Sequence, residues 1–189
     1  MRRIGIAVTT AALAVGLAAC NGTSIKSTPD ATGTAKGTVA AGAKAKPKVA
    51  PVAHIGDTIT LHGMQDGSKL TATLVKWVDP ARGGDEFTTP DSGKRFVAAQ
   101  LRLTDVGTTV YDDSPSNGVQ VADTEGQRFD SDISDVSAGP SMAPEVKLSP
   151  GDRTLGYISF QVPKTSKVAS LQFTLDSGFA DQTGEWHIG

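Results

Sequence analysis

The chain is almost without cysteine, with Cys20 alone among 189 residues. No intramolecular disulfide can form, and no cysteine-based metal cluster is available. Aromatic residues are scarce at 5% and hydrophobic residues make up 38%, which supplies one modest core and not two. Spaced His and Cys ligands for zinc are missing. No Gly-x-Ser-x-Gly elbow presents a serine nucleophile, and Gly83-Gly84 lacks the Lys-Ser/Thr and the helix that a phosphate would need. After residue 20 the sequence has no helical period. What is absent therefore speaks against hydrolase, zinc and nucleotide chemistry.

What is present is unevenly charged. The formal net charge of -2 divides into a basic segment and an acidic one. Residues 21–53 carry five lysines against Asp30 alone, and the remainder from His54 holds eleven basic and nineteen acidic side chains. Such a head repels a polyphosphate, so no nucleic-acid partner is expected.

The single cysteine follows Leu17-Ala18-Ala19. Small residues ahead of a thiol suit a narrow peptidase cleft, and that thiol can carry a thioether-linked diacylglycerol on a new N-terminus. Upstream, Met1-Arg2-Arg3 is a basic n-region, and Ile4 to Ala19 is an apolar run too short for a comfortable membrane span. Residues 1–19 read as a lipoprotein signal peptide, with Sec or twin-arginine export left open. Cys20 is the expected lipidation site, and the bilayer is its expected partner. The expected location is the extracytoplasmic face of the cell membrane.

Residues 20–53 then read as the lipidated cysteine followed by a disordered Ala/Gly/Thr/Lys linker, because the segment has almost nothing large and apolar to bury. A flexible coil of this length averages roughly 30 Å end to end and reaches at most about 110 Å.

Residues 54–189 form the expected folded domain. Ile59 and Leu61 alternate with polar neighbours, Lys69 to Val78 is rich in Thr and Val, and Asp79-Pro80 reads as a turn. Phe96 to Thr104 is the clearest strand, with Val97, Ala99, Leu101 and Leu103 on one face and Ala98, Gln100, Arg102 and Thr104 on the other. Asn117-Gly118 opens a short strand through Val119 and Val121. The stretch from Asp130 to Pro144 looks irregular. Gly156, Ile158, Phe160 and Val162 line one face of a strand that Pro163 stops, and Ala169, Leu171, Phe173 and Leu175 alternate again. Six or seven such strands predict an antiparallel β-sandwich, with a closed barrel as the alternative.

Leu148-Ser149-Pro150-Gly151 followed by Gly156 and Phe160-Gln161-Val162-Pro163, together with Lys94-Arg95-Phe96-Val97 and Val121-Ala122-Asp123-Thr124-Glu125-Gly126, resembles a bacterial lipoprotein domain of unknown function. Its members are common in actinobacteria and firmicutes, some of them mis-titled telomeric repeat-binding factor 2. The resemblance spans about residues 55–176. It implies an immunoglobulin-like sandwich similar to a secreted mycobacterial immunoprotective antigen, and it brings no catalytic residues. Asp105-Val106-Gly107 stands where the family has Asn-x-Gly, and Asp can make a similar turn.

The remaining chemistry is acidic. Asp130, Asp132 and Asp135 are a weak calcium candidate: loops between sandwich strands can supply hard oxygens, yet the glycine and terminal Glu of an EF-hand loop are missing. A solvated loop is the simpler reading, and no metal or cofactor is assigned. Asp112 and Asp113 are a candidate contact surface for a basic partner. His54, His62 and His187 read as solvated strand-end side chains. Trp77 and Phe160 read as core, with a sugar-stacking platform as the alternative, and Trp186 as an exposed contact. These readings converge on a membrane-anchored, non-enzymatic immunoglobulin-like domain that binds an envelope component or an extracellular protein. A structural or accessory subunit of an envelope assembly is the alternative, followed by a hydrolase with an unrecognised site.

Overall fold

The computed structural model describes residues 24–30 and 52–189. Cys20, the signal peptide and most of the expected linker lie outside these residues. Eleven strands follow in order: β1 (Ser24–Lys26), β2 (Thr58–His62), β3 (Lys69–Ala81), β4 (Lys94–Asp105), β5 (Tyr111–Asp113), β6 (Val119–Asp123), β7 (Arg128–Asp132), β8 (Val146–Leu148), β9 (Arg153–Pro163), β10 (Val168–Thr174) and β11 (Gln182–His187). Nine of them hydrogen-bond in the order β1-β11-β10-β6-β7-β9-β4-β3-β2, and β5 with β8 makes a separate ribbon.

The nine strands fold into two facing layers because β7 changes partner along its length. Arg128 to Asp130 pair with β6, whereas Ser131 and Asp132 pair with Phe160 and Ser159 of β9. A strand that passes from one layer to the other makes the corner of a sandwich. The longest ladder is β4 against β9, antiparallel from Lys94↔Pro163 to Thr104↔Arg153. The expected antiparallel sandwich is thus the observed fold.

The period-two apolar positions meet between the layers. Ile59, Leu61, Leu74, Leu101, Leu103, Phe160 and Val162 come from one layer, and Val121, Leu171, Phe173, Leu175 and Trp186 from the other, all of them fully buried. Trp77 packs on this core from the rim, half-buried. On β4 the expected inward face is the observed one. Ala98, expected on the polar face, is also buried. It packs with Phe96, Ala81, Tyr157 and Val136 in a second, smaller cluster outside the sheet, under the segment that follows β7.

Several sequence expectations are corrected. Asp79-Pro80 is no turn: β3 runs on to Ala81, and its register shifts between Val78 and Ala81. Proline is tolerated at such an irregularity because no ladder hydrogen bond is asked of it there. A second register shift, between Val168 and Ser170, turns Val168 into the core in place of Ala169. Trp186 is no exposed contact. It is fully buried on β11, and its Nε1 donates to the Asp57 carbonyl at 2.9 Å. Gly184 beside it leaves room for the indole, since a Cβ there would lie 3.1 Å from the ring.

The linker expectation also departs from the structure at residues 24–30. β1 pairs in parallel with β11, from Ser24↔Gln182 to Lys26↔Gly184. The Asp30 amide donates to the Thr58 carbonyl at 2.8 Å, so this short segment bridges the outer strands of both layers. Ala53, expected to be the last linker residue, is fully buried; its amide donates to Ser27 and its carbonyl accepts from His187.

Candidate functional site

Most of the expected site residues are absorbed by the scaffold. Asp112 forms an exposed ion pair with Lys147 across the β5–β8 ribbon, at 2.8 Å. Asp113 is turned inward: its carboxylate accepts from the Ser177 amide at 2.9 Å, the Ser177 hydroxyl at 2.6 Å and the Ser114 amide at 2.8 Å. It thereby clamps a turn in which Asp176 and Ser177 both adopt left-handed φ values of 54° and 53°, a conformation that costs a non-glycine residue about 1–3 kcal/mol. Burial pushes the nearby Tyr111 phenol far above its ordinary value, and the charge of Asp113 pushes it the same way. Asp113 is therefore a structural clamp and not a free contact.

The calcium candidate is not assembled. Asp130 and Asp132 stand two residues apart on the extended strand β7. Asp132 accepts from the Ser134 amide and from Gln161 Nε2, both at 2.8 Å, and Asp135 accepts from the Ser141 hydroxyl at 2.5 Å. Among the described residues no three His, Cys, Asp or Glu side chains gather as a metal-binding set. Millimolar calcium at constant ionic strength is accordingly expected to leave the melting temperature unchanged. A rise abolished by Asp130→Asn and Asp132→Asn would reverse this reading, because a ligand selective for the native state must stabilise it.

Among the described residues no histidine is hydrogen-bonded to a serine or threonine hydroxyl. His54 and His187 sit edge to face with ring centroids 6.3 Å apart, and His187 lies 3.4 Å from Glu185. His62 is exposed at the end of β2.

The surface that does stand out joins the loop after β3, a turn and loop in the sequence reading, to the stretch from Asp130 to Pro144, which looks irregular there. The segment after β7 packs Val136 beside Tyr157 and then returns along the edge of β9, where Ser141 and Tyr157 make a parallel bridge: the Tyr157 amide donates to the Pro140 carbonyl at 2.9 Å and the Met142 amide to the Tyr157 carbonyl at 2.7 Å. The loop after β3 locks onto the same segment, with Gly84 donating to Asp135 at 2.9 Å and Ser137 to Arg82 at 3.0 Å. Asp85 then caps its own turn, accepting from the Phe87 and Thr88 amides and the Thr88 hydroxyl at 3.0, 2.7 and 2.8 Å. The two loops are thus fastened by main-chain hydrogen bonds, and each presents a bare apolar side chain. Phe87 is 84% exposed and Ile133 102%.

Two clefts adjoin along this segment. One, of about 360 Å³, opens among Ser131, Ser141, Met142, Tyr157 and Ser159. The other, of about 660 Å³, lies between Gly84–Thr88 and Val136–Ser141. Ile133, Ser134, Asp135 and Ser141 line both and separate them. The carboxyl of Asp132 is disfavoured as an anion by partial burial, but the hydrogen bonds from Ser134 and Gln161 outweigh this and hold it below the ordinary carboxylate value. It stays ionised at neutral pH and is unsuited to act as a general acid there. The arrangement offers shape, hydroxyl groups and apolar tips.

No curated protein matches the chain. Among solved structures, the secreted protein MPT63 of Mycobacterium tuberculosis is 14% identical and superimposes with a TM-score of 0.50, covering 74% of this chain and 99% of that one. The yjhA protein of Bacillus subtilis is 15% identical with a TM-score of 0.46, covering 65% and 80%. An uncharacterized β-sandwich protein of Clostridium difficile is 12% identical with a TM-score of 0.38, covering 76% and 99%. At 14% identity the likeness to MPT63 speaks for the fold alone. The Leu-x-Pro-Gly turn and the glycine-to-proline strand that carry the sequence resemblance lie in β8, β9 and the turn between them. The family described as Domain of unknown function (DUF4352) matches residues 65–184, beginning and ending some ten residues later than the resemblance implied. That span is more than half of the chain and contains every strand from β3 to β10, and the chain belongs to this family.

Proposed function

We propose that this protein is a lipid-anchored, extracytoplasmic, non-catalytic binding domain, held to the membrane through Cys20, and that it recognises an envelope or extracellular protein with the Phe87–Ile133 face. The carrying observation is the exposure of two large apolar side chains on loops that are hydrogen-bonded to each other. Exposed apolar groups on a rigid base resemble the anchors around which protein interfaces are organised. The lipobox of residues 17–20 supports the anchoring, and the acidic charge of the domain disfavours nucleic acid.

The experiment uses photo-crosslinking on intact cells. A photoreactive residue at the exposed Ser137 is expected to give discrete protein adducts, whereas one at the exposed Glu125 in the turn before β7 gives none. Phe87→Ser with Ile133→Ser is expected to abolish those adducts at an unchanged melting temperature, since neither side chain is buried. Identical adducts from both positions would refute this face as the contact. Cys20→Ser is expected to release the protein or leave it unprocessed, and a membrane fraction unchanged by that substitution would refute the anchor.

A further inference from the structure

Residues 24–30 are bound to the sandwich at several points, although their composition resembles that of a free linker. The Ser24 amide and hydroxyl both reach the Asp181 carbonyl, at 2.6 and 3.2 Å. Lys26 Nζ donates to Asp30 Oδ1 at 3.0 Å and to the Thr60 carbonyl at 3.1 Å, and the Thr60 hydroxyl donates to Asp30 Oδ2 at 2.5 Å. The Ala53 amide donates to Ser27. Lys26 and Asp30 are only about one-third exposed, at 31% and 32%. Partial burial disfavours the Asp30 anion, and the hydrogen bonds from Thr60 and Lys26 outweigh it, so the carboxyl titrates below its ordinary 3.8. The contribution of the Asp30 carboxylate to the clasp is therefore complete above the ordinary carboxylate range and is lost only as the pH falls through that lowered value, while the main-chain pairing does not titrate.

Ser24 enters at one particular end of the sandwich. The β2–β3 turn belongs to that end, for the His62 amide donates to Gln182 Oε1 at 3.2 Å and the Met64 amide to Asp176 Oδ2 at 2.6 Å. The opposite end holds the β6–β7 turn around Glu125 and Gly126. The two ends are separated by the length of β4, twelve residues, or about 40 Å.

We infer that residues 24–30 clasp the domain so close to its anchor that the sandwich is oriented on the membrane, with the β2–β3 turn and residues 176–181 facing the bilayer and the β6–β7 turn facing away. This rests on the lipid-anchored reading above. Cys20 is four residues from Ser24, a reach of at most about 14 Å, against the roughly 30 Å average of a free linker ending at Ala53. The effective tether is thus Asn21 to Thr23.

The test uses the full mature lipoprotein in phosphatidylcholine vesicles that carry a trace of rhodamine-headgroup lipid. Acylated Cys20 leaves an introduced thiol as the only one to label, and a donor dye is placed through Gln65→Cys or, separately, through Glu125→Cys. The clasp predicts transfer from the Gln65 position about threefold or more above that from the Glu125 position, given the separation of the ends. Inserting about twenty Gly/Ser residues between Thr23 and Ser24 touches none of the described contacts and is expected to collapse the difference. Lys26→Ala with Asp30→Ala is expected to reduce it. Equal transfer from both positions, with the protein bound to vesicles, overturns the orientation and leaves the anchor standing. Protein that remains in the aqueous phase overturns the anchor, and the orientation with it.

Discussion

Alanine in place of Phe160 is expected to leave the domain unfolded or close to it. The side chain is fully buried, and its residue sits where three strands meet, paired with Val97 of β4 and with Ser131 of β7. Truncating a buried Phe costs about 3–5 kcal/mol, and a domain of this kind has about 5–15 kcal/mol in hand. Leu101→Ala, on the same inward face, is expected to cost about 2–5 kcal/mol. Arg102→Ala, one residue along and exposed, is expected to stay within about 0.5 kcal/mol of the parent. Urea unfolding of the three variants checks the ranking. An Arg102→Ala variant weaker than Leu101→Ala would contradict the inward assignment of β4.

Gly156→Ala should be nearly as damaging, for the opposite reason. A Cβ at this buried position would lie 2.4 Å from Met142 Cα and 2.5 Å from Met142 N. Both are backbone atoms, so no rotamer change relieves the overlap. Either the Pro140–Met142 stretch lifts away from β9 or the β9 strand must bend. Overpacking of about 1–3 kcal/mol then adds to the loss of the paired main-chain bonds between Tyr157, Pro140 and Met142, for a total of about 2–5 kcal/mol. Amide exchange at Tyr157 and Met142 is expected to accelerate before global unfolding does, and the adducts formed from Ser137 should weaken in parallel. Unchanged exchange at both amides would show that the loop does not depend on this glycine.

How much of this was legible depended on whether burial is written in apolar side chains. β4 and β9 were readable because Val97, Ala99, Leu101 and Leu103, and then Ile158, Phe160 and Val162, repeat every second residue. β11 was not, since Thr183 and Gly184 are two of its buried positions and Thr183 is satisfied by a hydroxyl pair with Thr174 at 2.6 Å. With one large apolar residue in view, Trp186 looked like a surface contact. β1 was invisible for a related reason: Ser24-Ile25-Lys26 is held through main-chain groups and an ion pair, which composition does not record. The candidate face was missed because it is built from loops whose order comes from hydrogen bonds between Gly84 and Asp135 and between Ser137 and Arg82. Its available signals were Phe87 and Ile133, each an isolated large apolar residue in a polar stretch. The acidic run misled because charge density says nothing about where each carboxylate points, and Asp113, Asp132 and Asp135 all point at neighbours in the chain.

The placement of residues 24–30 also bears on how the domain behaves in a crowd. A bare outer strand is a template on which another chain can add. Here the outermost strand of one layer, β11, is covered by β1, and Asp30 carries the cover across to β2 at the margin of the other layer. A fragment beginning at His54 would lose that cover and expose the unpaired main-chain groups of β11. Such a fragment would associate for reasons unrelated to any missing subunit, and self-association of the shortened domain is no sign of an obligate assembly unless residues 24–30 are kept.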